Sequence, residues 1–165
     1  MEIVRTIGKS EARVVADFIL KNYGPMSHLK LQKLLYYCQA YHLGYFKEPL
    51  FDEDFQAWMH GPVCREVYNA LKGESILHSD IRFSGSNNPD EELFARISSE
   101  QKDLVLDVLK ELADWTGFEL ENATHKESPW INARKGYSPA DRCEEIISKD
   151  SMRIYYSAEL NVQST

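Results

Sequence analysis

The chain has 165 residues and a mass of 19.1 kDa, the size of one ordinary domain. Hydrophobic residues at 43% and charged residues at 27% exclude a largely disordered protein. The formal charge of −7 disfavours non-specific binding to a phosphate backbone.

The elements follow from capping signals and apolar periodicity. Ser10 is a candidate N-cap for a helix over Glu11 to Asn22, with Ala12, Val15, Ala16 and Ile19 on one face. Gly24-Pro25 ends it. Ser27 caps a second helix expected to run to Leu43 and stop at Gly44. Leu31, Leu34, Leu35, Cys38 and His42 share its apolar stripe. Phe55 to Met59 reads as a short strand, and Gly61-Pro62 as the opening of a third helix closed by Gly73. Residues 74–97 are the least regular part, with only Ile81-Arg82-Phe83 extended.

Ser98 and Gln101 form a capping box before the clearest helix, whose apolar face includes Leu104, Val105, Val108, Leu109, Leu112 and Trp115. Gly117 is its expected stop. Glu119 to Lys126 fits a short helix, Ser128-Pro129 starts another that reaches Arg134, and Ser148 caps a last one through Leu160. No repeat or linker divides the chain. The sum is a mainly α single compact domain over 1–165, with about seven helices and one or two short β-strands.

No segment approaches the roughly 18 apolar residues of a membrane span. Met1 to Arg5 lacks the basic-then-apolar pattern of a secretory leader. Cys38, Cys64 and Cys143 are odd in number and far apart, which argues against a disulfide framework and for a reduced, cytoplasmic setting.

The search for chemistry is mostly negative. A Gly-rich phosphate loop, a paired cysteine motif, a His-Glu-x-x-His run and a Gly-x-Ser-x-Gly elbow are all absent. Cys38 and His42 sit four apart but on the apolar stripe, where a thiol is unreactive. In Thr124-His125-Lys126-Glu127-Ser128-Pro129-Trp130, His125 and Glu127 could serve as base and orienter, or as metal ligands with His60 as a third. The plainer reading is a polar hinge with Trp130 packed inward. The acidic clusters 52–54 and 90–92 read as solvated faces. Lys30, Lys33, Tyr37 and Tyr41 border the apolar stripe of the second helix, and two tyrosines with two lysines have the composition of an interface. The competing reading is a solvated flank partly covered by neighbouring helices.

Three ordered blocks carry a resemblance. They are Leu29-Lys30-Leu31-Gln32-Lys33-Leu34-Leu35-Tyr36-Tyr37-Cys38-Gln39 with Pro49-Leu50-Phe51, Phe55-Gln56-Ala57-Trp58-Met59-His60-Gly61-Pro62-Val63 with Val67-Tyr68, and Thr124 to Trp130 with Ala133-Arg134. In this order and spacing, over roughly residues 10–160, the chain resembles the Panacea antitoxin domain family, also described as SocA-like or phage-associated GepA-like. His60 departs from the pattern, since the family more often has an aromatic before Gly-Pro. The resemblance implies an antitoxin, prophage-borne or prokaryotic, that neutralises an adjacently encoded protein toxin by direct binding. One branch of the family looks like a proteolytic adaptor, which would add a protease as partner. It implies no cofactor, and the DNA-binding domain that some members carry has no room here.

The expectation is therefore a non-enzymatic antitoxin with Lys30, Lys33, Tyr37 and Tyr41 at the partner surface. Trp58, Gly61, Pro62, Thr124, His125 and Trp130 are expected to hold the fold. No catalytic, metal or cofactor residue is assigned, and membranes and nucleic acid are not expected partners. A proteolytic adaptor is the alternative among binding proteins; a small metal-dependent or acid/base hydrolase built on His125 and Glu127 is the alternative from another class.

Overall fold

A computed structural model describes residues 7–73 and 77–163. Met1 to Arg5, read above for a leader, and the first three residues of the irregular 74–97 stretch lie outside the described residues. The order begins α1 (Ala12–Tyr23), β1 (Met26–Ser27), α2 (His28–Phe46), β2 (Phe55–Trp58), β3 (Gly61–Cys64), α3 (Arg65–Leu71) and β4 (Asp80–Ile81). It continues with α4 (Pro89–Phe94), α5 (Ser99–Leu112), α6 (Gly117–His125), α7 (Ser128–Ala133), β5 (Ile146–Ile147) and α8 (Lys149–Gln163). The mainly helical expectation holds, with eight helices among the described residues.

Helix α2 is the axis of the molecule. Ser27 caps it by accepting from the Lys30 N–H, as the sequence indicates. It packs against α8, α5, α1, α6 and β3, so its sides are covered nearly all round. A helix buried on all sides loses the one-stripe pattern of a surface helix. The polar residues Gln32, Lys33, Gln39 and His42 are therefore inside too, each with a hydrogen-bond partner. Gln39 accepts from Leu50 N–H at 2.8 Å and donates to the Phe51 carbonyl at 2.7 Å. Gln32 brackets the Cys64 backbone in the same way.

Cys38 and His42 are fully buried, as expected. Burial pushes the Cys38 thiol up to about 12 and pulls His42 down to about 4. The neutral His42 ring gives its Nδ1–H to the Glu48 carbonyl and accepts from the Gln101 amide at Nε2. Gln101 also closes the expected capping box at α5 and holds both backbone groups of Gly8.

Several boundaries differ from expectation. Gly44 does not stop α2; the helix continues to Phe46, and Lys47 takes the left-handed turn at φ 67°. Gly44 is instead where α8 crosses, since a Cβ there would lie 2.8 Å from both backbone and Cβ of Tyr156. Gly61-Pro62 does not open a helix. It begins β3, an edge strand of the antiparallel β3-β2-β5 sheet, where a missing N–H leaves no ladder bond unmade. Helix α5 ends at Leu112, and Gly117 starts α6 rather than stopping α5, because Thr116 and Glu119 form a second capping box there.

The acidic clusters are not merely solvated. Asp52 pairs with Lys9, Glu53 accepts from the Ala12 N–H at the start of α1, and Asp54 meets Lys149 of α8. Asp90 to Glu92 form the first turn of α4, which the sequence did not indicate, and Asp90 accepts from Asn22 of α1.

Candidate functional site

The second and third sequence blocks meet the first at one place, the tip of the β2–β3 hairpin. Trp58 and Gly61 face each other across a two-residue turn, Met59-His60. Gly61 takes φ +101°, a backbone region that side chains avoid. A Cβ there would also sit 2.5 Å from Lys33 Cε and 2.9 Å from Thr124 Oγ1. The hairpin can therefore seat directly on α2 and α6 only with glycine at this position.

Polar bonds fasten the seat from three sides. From α2, the buried Lys33 ammonium donates to the Pro62 carbonyl at 2.9 Å. From α7, Trp130 Nε1 donates to the Trp58 carbonyl at 2.8 Å. Arg134, just past α7, gives 2.7 Å to the Ala57 carbonyl and further bonds to the carbonyls of Ser138 and Asp141. From α6, Glu121 accepts from His60 at 2.8 Å, and Thr124 Oγ1 donates to the Glu121 carbonyl. Lys33, Trp130 and Arg134 thus each donate to a backbone carbonyl of the hairpin, at Pro62, Trp58 and Ala57.

Burial shifts the titration of this cluster. Lys33 is pulled down to about 7 by burial, against the opposing pull of Glu121. Glu127 is pushed up to about 7 by burial, although it accepts hydrogen bonds from Tyr156 at 2.5 Å and Tyr37 at 3.0 Å. Burial holds His125 below the ordinary imidazole range. Its ring stacks on Trp130 with centroids 4.0 Å apart, and its Nε2 is buried without a hydrogen-bond partner.

His125 and Glu127 thus do not face each other as base and orienter. Glu127 is taken up by tyrosines of α2 and α8, His125 by Trp130, and His60 by Glu121. Among the described residues no three His, Cys, Asp or Glu side chains are grouped as ligands for one ion. Beside the hairpin lies a cavity of about 480 Å³ lined by Trp58, Tyr68, Arg65, Arg142 and Glu144. Glu144 bonds both guanidinium groups, and Arg65 lies over the Trp58 ring, so both arginines there are already engaged.

A family described as "Antitoxin SocA-like, Panacea domain" matches residues 31–131. The chain belongs to that family. The matched stretch runs from within α2 to within α7 and contains the hairpin, Lys33, Thr124 and Trp130, while Arg134 and Tyr156 lie beyond it. Neither a curated relative nor a solved structure matches the chain.

Within this Panacea domain the four expected interface residues do not form one exposed row. Lys33 and Tyr37 are inside, Tyr37 only 3% exposed, because α6, α8, the hairpin and Glu127 close over that side of α2. Lys30 is half-buried, and its ammonium reaches the Ala113 carbonyl at the C-terminal end of α5. Tyr41 is half-buried and lines a groove between α2, α5 and α8. The row fails because neighbours four residues apart on a central helix face different surroundings.

Two residues central to the seat escaped the sequence reading. Glu121 and Tyr156 lie on other helices, and their roles depend on tertiary pairing with His60 and Glu127. No local pattern marks them.

Proposed function

We propose that this protein is an antitoxin that neutralises a cognate protein toxin by binding it directly, as one domain and without a cofactor. The observation that carries the reading is the family match across α2 to α7. The hairpin seat supports it from the other side, since the motif residues with chemical potential are spent on one another and on backbone groups. A partner-binding role needs a rigid scaffold, and such a locked corner supplies one.

The test is co-expression with the product of the neighbouring reading frame. The expected result is rescue from that product's toxicity together with a complex that survives purification. Rescue at substoichiometric dose with no complex would favour an enzyme using His125 and Glu127. Rescue through protease-dependent loss of the toxin would favour the adaptor mode.

A further inference from the structure

Helix α5 presents two adjoining faces to the outside. One is apolar: Leu104 and Val108, with Trp115 from the turn after the helix and Tyr41, Tyr45 and Leu160, line a groove of about 600 Å³. Trp115 is 40% and Tyr45 56% exposed, uncommon for such side chains away from an interface. The other face is acidic. Asp103, Asp107 and Glu111 recur at steps of four, which keeps them on one edge of the helix, and Asp114 follows in the turn after it.

All four are exposed, and none has an ion-pair partner among the described residues. Asp107 and Glu111 line the groove itself, and Asp103 lies one helical turn before Asp107. Lys110, exposed like them, lies three residues after Asp107 along the same edge. The nearest cations of α2 are committed elsewhere, Lys30 to the Ala113 carbonyl and Lys47 to the Gly44 carbonyl and Ser157.

We propose that this groove is a docking site for a cationic amphipathic helix of a partner protein. Its apolar ridge would lie on Leu104, Val108, Trp115 and Tyr45, and its Lys or Arg side chains would meet Asp107 and Glu111. Charge complementarity selects this occupant. A second copy of the chain would bring two acidic edges together, and a nucleic acid would meet the same repulsion. Helix α5 has 14 residues, so a partner helix of about ten to fifteen residues would span the groove. The inference rests on the antitoxin reading only in naming the partner as the toxin.

The test uses the full chain and a synthetic 18-residue amphipathic helix of leucine and lysine, with a leucine and glutamate counterpart. The lysine peptide is expected to bind and the glutamate peptide not. The double variant Asp107→Lys/Glu111→Lys should weaken binding by at least about tenfold and flatten its salt dependence. Leu104→Glu should abolish binding, while Glu91→Lys/Glu92→Lys on α4 binds as the unaltered chain does. Circular dichroism confirms that each variant is folded.

Failure of the lysine peptide to bind, or equal losses in the groove and α4 variants, would overturn the proposal. So would self-association of the unaltered chain that Leu104→Glu removes, because the groove would then hold a second copy. In the co-expression assay, full rescue by Asp107→Lys/Glu111→Lys overturns the groove while leaving the antitoxin reading intact. No rescue by the unaltered chain removes the antitoxin reading, and the peptide measurement alone then decides the groove.

Discussion

The hairpin seat and the α5 groove lie on two sides of the same helix and use polar residues in opposite ways. At the seat, Lys33, Tyr37, Glu127, Trp130 and Arg134 are turned inward and bonded to specific atoms. At the groove, the carboxylates of Asp107 and Glu111 point to solvent beside exposed aromatic rings. Three tyrosines of α2 at four-residue steps mark the passage between them. Tyr37 is buried, Tyr41 half-buried and Tyr45 mostly exposed. Residue type and spacing are identical along that row, and the surroundings alone separate scaffold from surface. Substitutions at the seat should therefore cost stability, and substitutions at the groove should cost binding.

The largest expected losses are at the seat. Trp130→Ala and Tyr37→Ala should each destabilise the fold by about 3–5 kcal/mol in urea titrations, because a large buried ring and its hydrogen bond are lost together. A loss below about 1 kcal/mol for both would mean that the seat is not part of the core. Gly61→Ala comes next. The backbone conformation alone costs about 1–3 kcal/mol in a non-glycine residue, and the crowding by Lys33 and Thr124 adds to it. If Gly61→Ala melts with the unaltered chain, the hairpin does not sit directly on α2.

The two shifted groups at the seat predict opposite pH slopes. Glu127 keeps its proton to about pH 7 in the fold, whereas an ordinary carboxyl releases it near 4.5. Between those values the folded chain holds more protons than the unfolded chain, so stability from this group falls as pH rises. Lys33 releases its proton near 7 in the fold and near 10.5 when unfolded. The folded chain then holds fewer protons, and stability from this group rises across that upper window. Glu127→Gln should accordingly flatten the fall between pH 5 and 7, and Lys33→Met the rise above 7, in melting temperatures compared with the unaltered chain. Curves that stay parallel across both windows would show that neither group is desolvated in solution.

Much of the scaffold was legible because its signals are local. Ser27, the Ser98–Gln101 capping box and the Ser128-Pro129 start each act within one helical turn, and each stands where expected. The inward Trp130 and the buried Cys38–His42 pair were legible from their place on apolar faces. What failed depends on distant partners. Gly44 reads as a helix stop but serves a crossing with Tyr156, and Gly61-Pro62 reads as a helix start but forms an edge strand fixed by β2 and Lys33. The interface row failed for the same reason. A lysine beside a tyrosine looks solvated until the hairpin that covers it is known.

The smallest expected effect on stability falls at the groove, and it gives the comparison its sharpest edge. Asp107→Asn and Glu111→Gln remove charges that have no ion-pair partner among the described residues, so folding has little to lose from them. Each should change unfolding free energy by no more than about 0.5 kcal/mol. A small gain is also in keeping with their placement, since Asp103, Asp107 and Glu111 are like charges at four-residue steps on α5. Lys30→Met offers an internal reference, because Lys30 holds the end of α5 through the Ala113 carbonyl and should cost about 1 kcal/mol. If the acidic residues were structural, their neutralisation would cost as much as Lys30→Met or more. If they face a cationic partner, the same neutral variants keep their melting temperature and lose part of their association rate with the lysine peptide at low salt. A loss of stability in step with the loss of association would collapse the difference between the two sides of α2.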